Sequence, residues 1–306
     1  MNKIYAVGET VFDIIFKDYQ PQAARPGGSA FNAIISLGRL HLPCSFISEV
    51  GNDRIGHHIL DFLRRNGVDN RYVVQFEEGK SALSLAFLNH RQDAEYDFYK
   101  DYPNQRLHET FPSFSAEDYL LFGSFYGLNP ALRSRMKEIL DSAYAERTLI
   151  YYDPNFRASH MDDRDELLPV IEENMRYAGV VRASDEDMQN IYGVDTASDA
   201  WEKVRPHCKV LIYTANAHGV YLRTPHISLH LEVEQIKPVS TIGAGDTFNA
   251  GVLYGLFKRG VNLDSLEMLD AGQWIALLND AALFSREVCL GYDNYISHGF
   301  AESYHL

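Results

Sequence analysis

Thr241-Ile242-Gly243-Ala244-Gly245-Asp246-Thr247-Phe248 sets two glycines around an alanine and follows them at once with an aspartate. Such a turn carries almost no side-chain bulk. Backbone N–H groups can therefore converge on an anion, helped by the positive end of a following helix. The Asp246 carboxylate stands where it can take a proton from a hydroxyl aimed at that anion. An anion cradle beside a base is what phosphoryl transfer to an alcohol requires. A Gly-x-Gly-Asp run on its own also serves as a helix-capping turn, so the rest of the chain must decide between the two.

A second constellation lies near the N-terminus. Pro26-Gly27-Gly28-Ser29-Ala30-Phe31-Asn32 leads from a short loop into a helix-like run, and Gly8-Glu9-Thr10-Val11-Phe12-Asp13 ends the first apolar stretch with a carboxylate. Paired glycines permit close backbone approach to a ligand, and an asparagine in the first turn offers both donor and acceptor. Asp13 and Asn32 together can hold adjacent hydroxyls of a polyol, the carboxylate accepting O–H bonds and the amide reading another. Taken singly, Gly-Gly before a helix is common punctuation, and Asp13 reads as a solvated strand-end charge.

The elements that must position these residues alternate between short apolar strands and amphipathic helices. Strands are expected over 4–7, 45–49, 119–122, 149–152, 180–181 and 210–213, with helices over 30–40, 55–66, 130–145, 166–177, 199–204, 244–258 and 265–285. That order predicts an α/β fold with a mostly parallel sheet. Residues 82–100 break the rhythm: 82–88 is apolar, 90–95 is a polar turn, and Tyr96-Asp97-Phe98-Tyr99 alternates with an aromatic bias. This is a β-hairpin, and with the strand-like 11–16 it forms a small sheet, either a decorative edge or a lid that excludes water from a cleft.

The chain has 306 residues, 46% of them hydrophobic, enough to bury a large core, and its length fits one large domain or two modest ones. A formal net charge of −14 argues against nucleic acid as a partner, because phosphate backbones are bound through an excess of Lys and Arg. No run approaches a membrane span or a signal-peptide core, so neither a membrane partner nor export is expected. Cys44, Cys208 and Cys289 lack metal-ligand spacing and read as small hydrophobes of a reducing, cytoplasmic compartment.

Gly27-Gly28-x-x-x-Asn32 near the start and Gly243-Ala244-Gly245-Asp246 near the end resemble the two signatures of the PfkB, or ribokinase-like, carbohydrate kinases. The resemblance covers essentially the whole chain. It implies a three-layer αβα sandwich over 1–306 with a small β lid contributed by about 11–25 and 82–101. Gly8-Glu9, Asp13, Tyr96–Tyr99 and Asp153-Pro154-Asn155-Phe156-Arg157 look most like the fructokinase branch, and the last run also resembles 2-keto-3-deoxygluconate kinases.

The resemblance makes Asp246 the catalytic base, with Gly243, Ala244 and Gly245 as the anion hole. It implies Asp13, Gly27, Gly28, Asn32, Phe98 and Arg157 on the sugar side. It implies Ser184, Asp187, Thr214, Asn216, Gly219, Gly243, Gly245 and Asn279 on the side of ATP, with Asp187 acting indirectly on Mg2+. A homodimer through the lid is a further expectation. Three departures stand out. Ser184-Asp185-Glu186-Asp187 replaces the usual Asn-x-x-Glu, with a shorter carboxylate. Thr214-Ala215-Asn216-Ala217-His218-Gly219 has Asn216 where the nucleotide loop usually has glycine; asparagine best tolerates the left-handed backbone there. Ser240 replaces an aspartate associated with a monovalent-cation site, which puts dependence on K+ in doubt. The leading expectation is an ATP-dependent kinase of a ketohexose such as fructose. The alternatives are a 2-keto-3-deoxygluconate kinase, another sugar kinase of the family, and a catalytically weakened sugar- or nucleotide-binding protein.

Overall fold

A computed structural model describes residues 2–88, 94–108 and 110–304. The chain divides into two compact units. The first comprises Lys3–Pro112, Ile236–Tyr254 and the chain from Ala281 onward; the second is built mainly from Ser113–Gln235 and Gly255–Asp280.

In the first unit, strand β1 (Ile4–Val7) is followed by β2 (Val11–Lys17), β3 (Gln20–Gly27), helix α1 (Ser29–Arg39), β4 (Cys44–Gly51), α2 (Arg54–Arg65), β5 (Val68–Phe76), β6 (Lys80–Leu88) and β7 (Ala94–Asp101). Strands β1, β4 and β5 form a parallel ladder, Ile4 opposite Cys44 and Cys44 opposite Val68. All eight residues of β4 are buried, as expected of a parallel strand covered on both faces. Phe31 of α1 lies edge-on to Phe46 of β4 and stacks on Phe62 of α2, so both helices seal one apolar layer. Asp53 caps α2 by accepting from Gly56 N at 2.8 Å, and the same carboxylate accepts from Ser81 N and Oγ at the start of β6.

The four strands β3-β2-β6-β7 make a separate small sheet. Its outer pairs are antiparallel and its central pair, β2 with β6, is parallel. Asp18 and Tyr19 join β2 to β3 with φ of 50° and 59°, the positive values that a tight two-residue hairpin uses. Pro21 and Pro26 lie in β3, an edge strand, where a missing N–H is tolerated. The strand expected over 11–16 and the pairing of 82–88 with 96–99 are both present; residues 90–93 of the expected 90–95 turn lie outside the described residues, and 94–95 already belong to β7. Alternation along β2 buries Val11, Asp13 and Ile15 together, which turns the Asp13 carboxylate inward with two apolar neighbours.

The second unit carries β8 (Tyr119–Gly123), α3 (Arg133–Ala145), β9 (Leu149–Asp153), α4 (Arg164–Tyr177), β10 (Val180–Ser184), α5 (Asp185–Tyr192), α6 (Ala197–Val204), β11 (Leu211–Thr214), β12 (Val220–Arg223) and β13 (Ser228–Leu231). Strands β8 to β11 are parallel in chain order, and β12 and β13 continue antiparallel. The chain ends with α7 (Ala244–Lys258), α8 (Leu263–Leu266), α9 (Ala271–Cys289) and α10 (His298–Ser303). Among the described residues no helix is long and apolar enough to cross a membrane.

The helix expected over 265–285 is two helices. Asn262 and Ser265 bond each other's backbone N–H and close α8 as a single turn. Asp270 and Gln273 do the same at the start of α9, Asp270 Oδ1 accepting at 2.8 Å and Gln273 Oε1 at 2.9 Å. Two reciprocal caps in succession outweigh the continuous apolar period. Helices α5 and α10 and strands β3, β5, β12 and β13 are additional to the elements expected from the sequence.

Candidate active site

The turn before α7 is built around a constraint at Gly243. Its φ is +80°, and an ideal Cβ there would lie 2.4 Å from the Asn294 carbonyl oxygen, so no side chain fits. Buried Thr247 locks the turn by donating Oγ1–H to the Gly243 carbonyl at 2.8 Å. The Ala244 N–H donates to the Thr241 carbonyl at 3.2 Å, and Ser240 Oγ accepts from Ile242 N at 3.2 Å. These bonds fold 240–247 into a tight approach to the helix, with Asp246 in its first turn.

Asn32 occupies the first turn of α1. Gly28 caps that helix with φ +125°, where a Cβ would lie 2.3 Å from the Glu9 carbonyl oxygen. Asn32 Nδ2 donates to Asp246 Oδ2 at 2.8 Å, fixing the carboxylate's rotation. The Asn32 Oδ1 atom is buried and has no hydrogen-bond partner among the described residues.

Asp13 completes the group. Burial pushes its carboxyl up to about 6; the nearby Asp246 charge adds to this, against the Ser84 hydroxyl hydrogen bond and the Arg25 charge. Arg25, Asp13, Ser84 and Phe98 are register partners in one row across β3, β2, β6 and β7, so all four share a face of the small sheet. Phe98 is 54% exposed, and the Lys100 ammonium sits 4.9 Å from its ring centroid while donating to Glu9 at 2.7 Å. The first unit thus brings together Asp13, Gly27, Gly28, Asn32, Gly243, Ala244, Gly245 and Asp246. It places a carboxylate and an amide beside a second carboxylate that stands at a helix N-terminus.

In the second unit, Ser184 and Asp187 form a reciprocal cap at the start of α5. Buried Asp187 accepts from Phe156 N at 2.6 Å, Ser184 N at 2.7 Å and Ser184 Oγ at 2.6 Å. Burial and the Asp153 charge raise its pKa, opposed by Arg182 and Ser184. Arg182 bridges β9 and β11, donating to Asp153 Oδ2 at 3.1 Å and Thr214 Oγ1 at 2.6 Å. Asn216 adopts the left-handed conformation, φ 45°, and Gly219 closes the loop at the start of β12. Exposed Arg157 lies 3.7 Å from the Glu186 carboxylate, a surface ion pair. Asn279 is an exposed position on α9.

Residue spacing does not single out Arg25, Ser84, Thr247, Arg182 or Asn294. Arg25 and Ser84 meet Asp13 only through strand register. Arg182 did leave a trace: a lone cation inside the apolar run Val180-Val181-Arg182-Ala183 needs a buried partner. The Ser184-x-x-Asp187 spacing likewise carries the signature of a capping box.

Residues 1–279 match the pfkB family carbohydrate kinase model. The chain belongs to the pfkB family of carbohydrate kinases. This pfkB kinase is 25% identical over 277 residues to a fructokinase of Vibrio alginolyticus, covering 90% of each chain. Its structure is similar to aminoimidazole riboside kinase from Salmonella enterica complexed with aminoimidazole riboside and an ATP analog. The TM-score is 0.84 at 21% identity, over 99% of this chain and 98% of that one. Vibrio cholerae fructokinase, in a form with fructose, ADP and calcium bound, gives the same TM-score and coverage at 20% identity. These likenesses establish the ribokinase-like α/β fold.

The raised pKa of Asp13 gives a test of whether it holds the sugar, because ionised it offers both oxygens as acceptors, whereas protonation turns one of them into a donor. For the sugar this kinase phosphorylates, kcat/KM should climb about ten-fold per pH unit up to pH 6 and level off above it. A pH profile of Asp13→Asn should lack that limb; an unchanged limb would detach it from Asp13.

Proposed function

We propose that this pfkB kinase transfers the γ-phosphoryl group of ATP to the hydroxymethyl group of a ketohexose, with fructose the leading substrate. The hydrogen bond from Asn32 to Asp246 carries the reading, because it sets a proton acceptor against the residues that would hold the sugar. Asp13 and the Asn32 amide oxygen accept hydroxyl hydrogens and orient the primary alcohol toward Asp246. Asp246 takes its proton as the oxygen attacks phosphorus, and the bond from phosphorus to the ADP oxygen breaks. Charge on the moving phosphoryl group is met by amides at the start of α7. The Ala244 N–H already closes the turn onto Thr241, so Gly243 and Gly245 are the assigned donors.

Thr214, Asn216, Gly219 and Asn279 are assigned to the nucleotide by family likeness, as are Ser184 and Asp187. Both Asp187 oxygens accept from backbone or hydroxyl donors, so Asp187 reaches a magnesium ion only indirectly. Magnesium, held chiefly by the nucleotide's own phosphates, would offset their negative charge. The left-handed Asn216 and the intact Ser184–Asp187 cap support an active enzyme over a weakened binding protein. Ser240 offers a neutral hydroxyl, which supports weak dependence on potassium. The three free cysteines fit a reducing cytoplasm.

An acidic sugar such as 2-keto-3-deoxygluconate needs a cation. Lys100 is paired with Glu9, Arg106 with buried Glu49, and Arg157 with Glu186, which favours a neutral sugar. The small sheet is assigned as a lid that pairs with its copy in a second subunit. Tyr19, Phe98 and Tyr99, exposed by 84%, 54% and 58%, supply the motive, and a monomer by light scattering at micromolar concentration would count against it.

ADP formation with ATP and magnesium should give the highest kcat/KM on fructose among fructose, ribose and 2-keto-3-deoxygluconate. A preference for the acidic sugar would overturn the ketohexose assignment. In the same assay Asp246→Asn should lose roughly 10²–10⁴ in kcat while keeping sugar affinity, because the amide cannot accept the proton. Rates in potassium chloride and in a bulky ammonium chloride should agree within about two-fold.

A further inference from the structure

The loop 290–297, between α9 and α10, is held at several points. Arg25 donates to the Tyr292 carbonyl at 2.8 Å and pairs with Asp293. Ile296 N donates to Ser36 Oγ at 3.3 Å. Arg39 donates to the Ile296 carbonyl at 2.6 Å and stacks over Tyr295, 4.6 Å from the ring centroid. Anchors before and after Asn294 leave it little freedom, and it is 1% exposed.

Asn294 touches both halves of the site in the first unit. Its backbone closes on the Gly243 turn, as shown by the 2.4 Å between its carbonyl oxygen and an ideal Cβ on Gly243. Its side chain faces Gly27: an ideal Cβ there would lie 3.4 Å from Asn294 Nδ2 and 2.1 Å from Asp13 Oδ2. The Asn294 amide and the Asp13 carboxylate therefore stand against the same Cα. The Asn294 Oδ1 atom is buried and, like Oδ1 of Asn32, has no hydrogen-bond partner among the described residues. Buried amide oxygens are almost always bonded, so two unbonded ones in one site point to donors from outside the chain.

We infer that Asn294 is a substrate-binding residue whose side-chain amide takes a sugar hydroxyl beside those held by Asp13 and Asn32, and so helps decide which sugars are accepted. An amide suits this position chemically. Turned either way it offers an acceptor and two donors, whereas a third carboxylate near Asp13 and Asp246 would add like-charge repulsion. The inference rests on the sugar-kinase reading of the same site, though not on fructose being the sugar.

The test compares monodeoxy analogues of whichever sugar the parent phosphorylates, from fructose, ribose and 2-keto-3-deoxygluconate, in the parent and in Asn294→Ala. One analogue, lacking the hydroxyl that Asn294 meets, should lose about 10- to 100-fold in kcat/KM with the parent. With Asn294→Ala that analogue and the full sugar should differ by less than about three-fold, with the KM for ATP unchanged. Identical analogue ratios in parent and variant would overturn the inference. If Asn294→Ala is not recovered folded, Asn294→Ser gives the same comparison, because the shorter side chain cannot span the same distance. Fructose failing as a substrate would sink the ketohexose assignment while leaving this comparison intact on the accepted sugar.

Discussion

The hydrogen bond from Asn32 Nδ2 to Asp246 Oδ2, 2.8 Å long, joins residues 214 positions apart and fixes the orientation of the Asp246 carboxylate. Each end is the first turn of a helix whose approach only glycine permits, Gly28 for α1 and Gly243 for α7. A side chain at either glycine would collide with backbone, moving a helix start and with it one partner of the bond. Thr247 and Ser36 hold the surrounding backbone in place, Ser36 by donating to the Asn32 carbonyl at 2.9 Å. The βαβ ladder of the first unit supplies the rigid support that such a bond needs.

Electrostatics then divides labour between two carboxylates. Asp13 is buried on the inner face of β2, where lost solvation and the Asp246 charge raise its pKa to about 6. Ser84 and Arg25 oppose that rise, leaving Asp13 ionised at neutral pH and able to accept hydroxyl hydrogens. Asp246 is oriented by an amide and lies at a helix N-terminus, where negative charge is favoured. Polar side chains added to this pair, Asn32 and Asn294, are neutral, which keeps the site from accumulating further repulsion.

The glycine-rich turns of the candidate site and the polar residues beside them were legible in the sequence. Gly243 to Asp246, Gly27, Gly28 and Asn32 could be read because the two constellations occur in one chain, although each alone is ordinary helix punctuation. The alternation of strands and helices was legible for the same reason that parallel sheets exist, a continuous apolar run between amphipathic ones. Arg25 and Ser84 were not legible, since strand register carries them to Asp13, Ser84 across 71 positions and Arg25 through the β2–β3 hairpin. The break at residues 267–270 was hidden because caps act through single side chains while the apolar period continues. Asn294 lies in a loop whose position depends on Arg25, Ser36 and Arg39, and nothing in its local sequence marks it.

The central claim is that Asn32 acts on turnover through Asp246. A double-mutant cycle on kcat, with Asn32→Ala, Asp246→Asn and the pair, tests it most directly. The account predicts strong non-additivity: once Asp246 is replaced, removing the Asn32 amide should change kcat by less than about three-fold. Fully multiplicative losses in the double variant would contradict it, because they would mean that the two residues act independently.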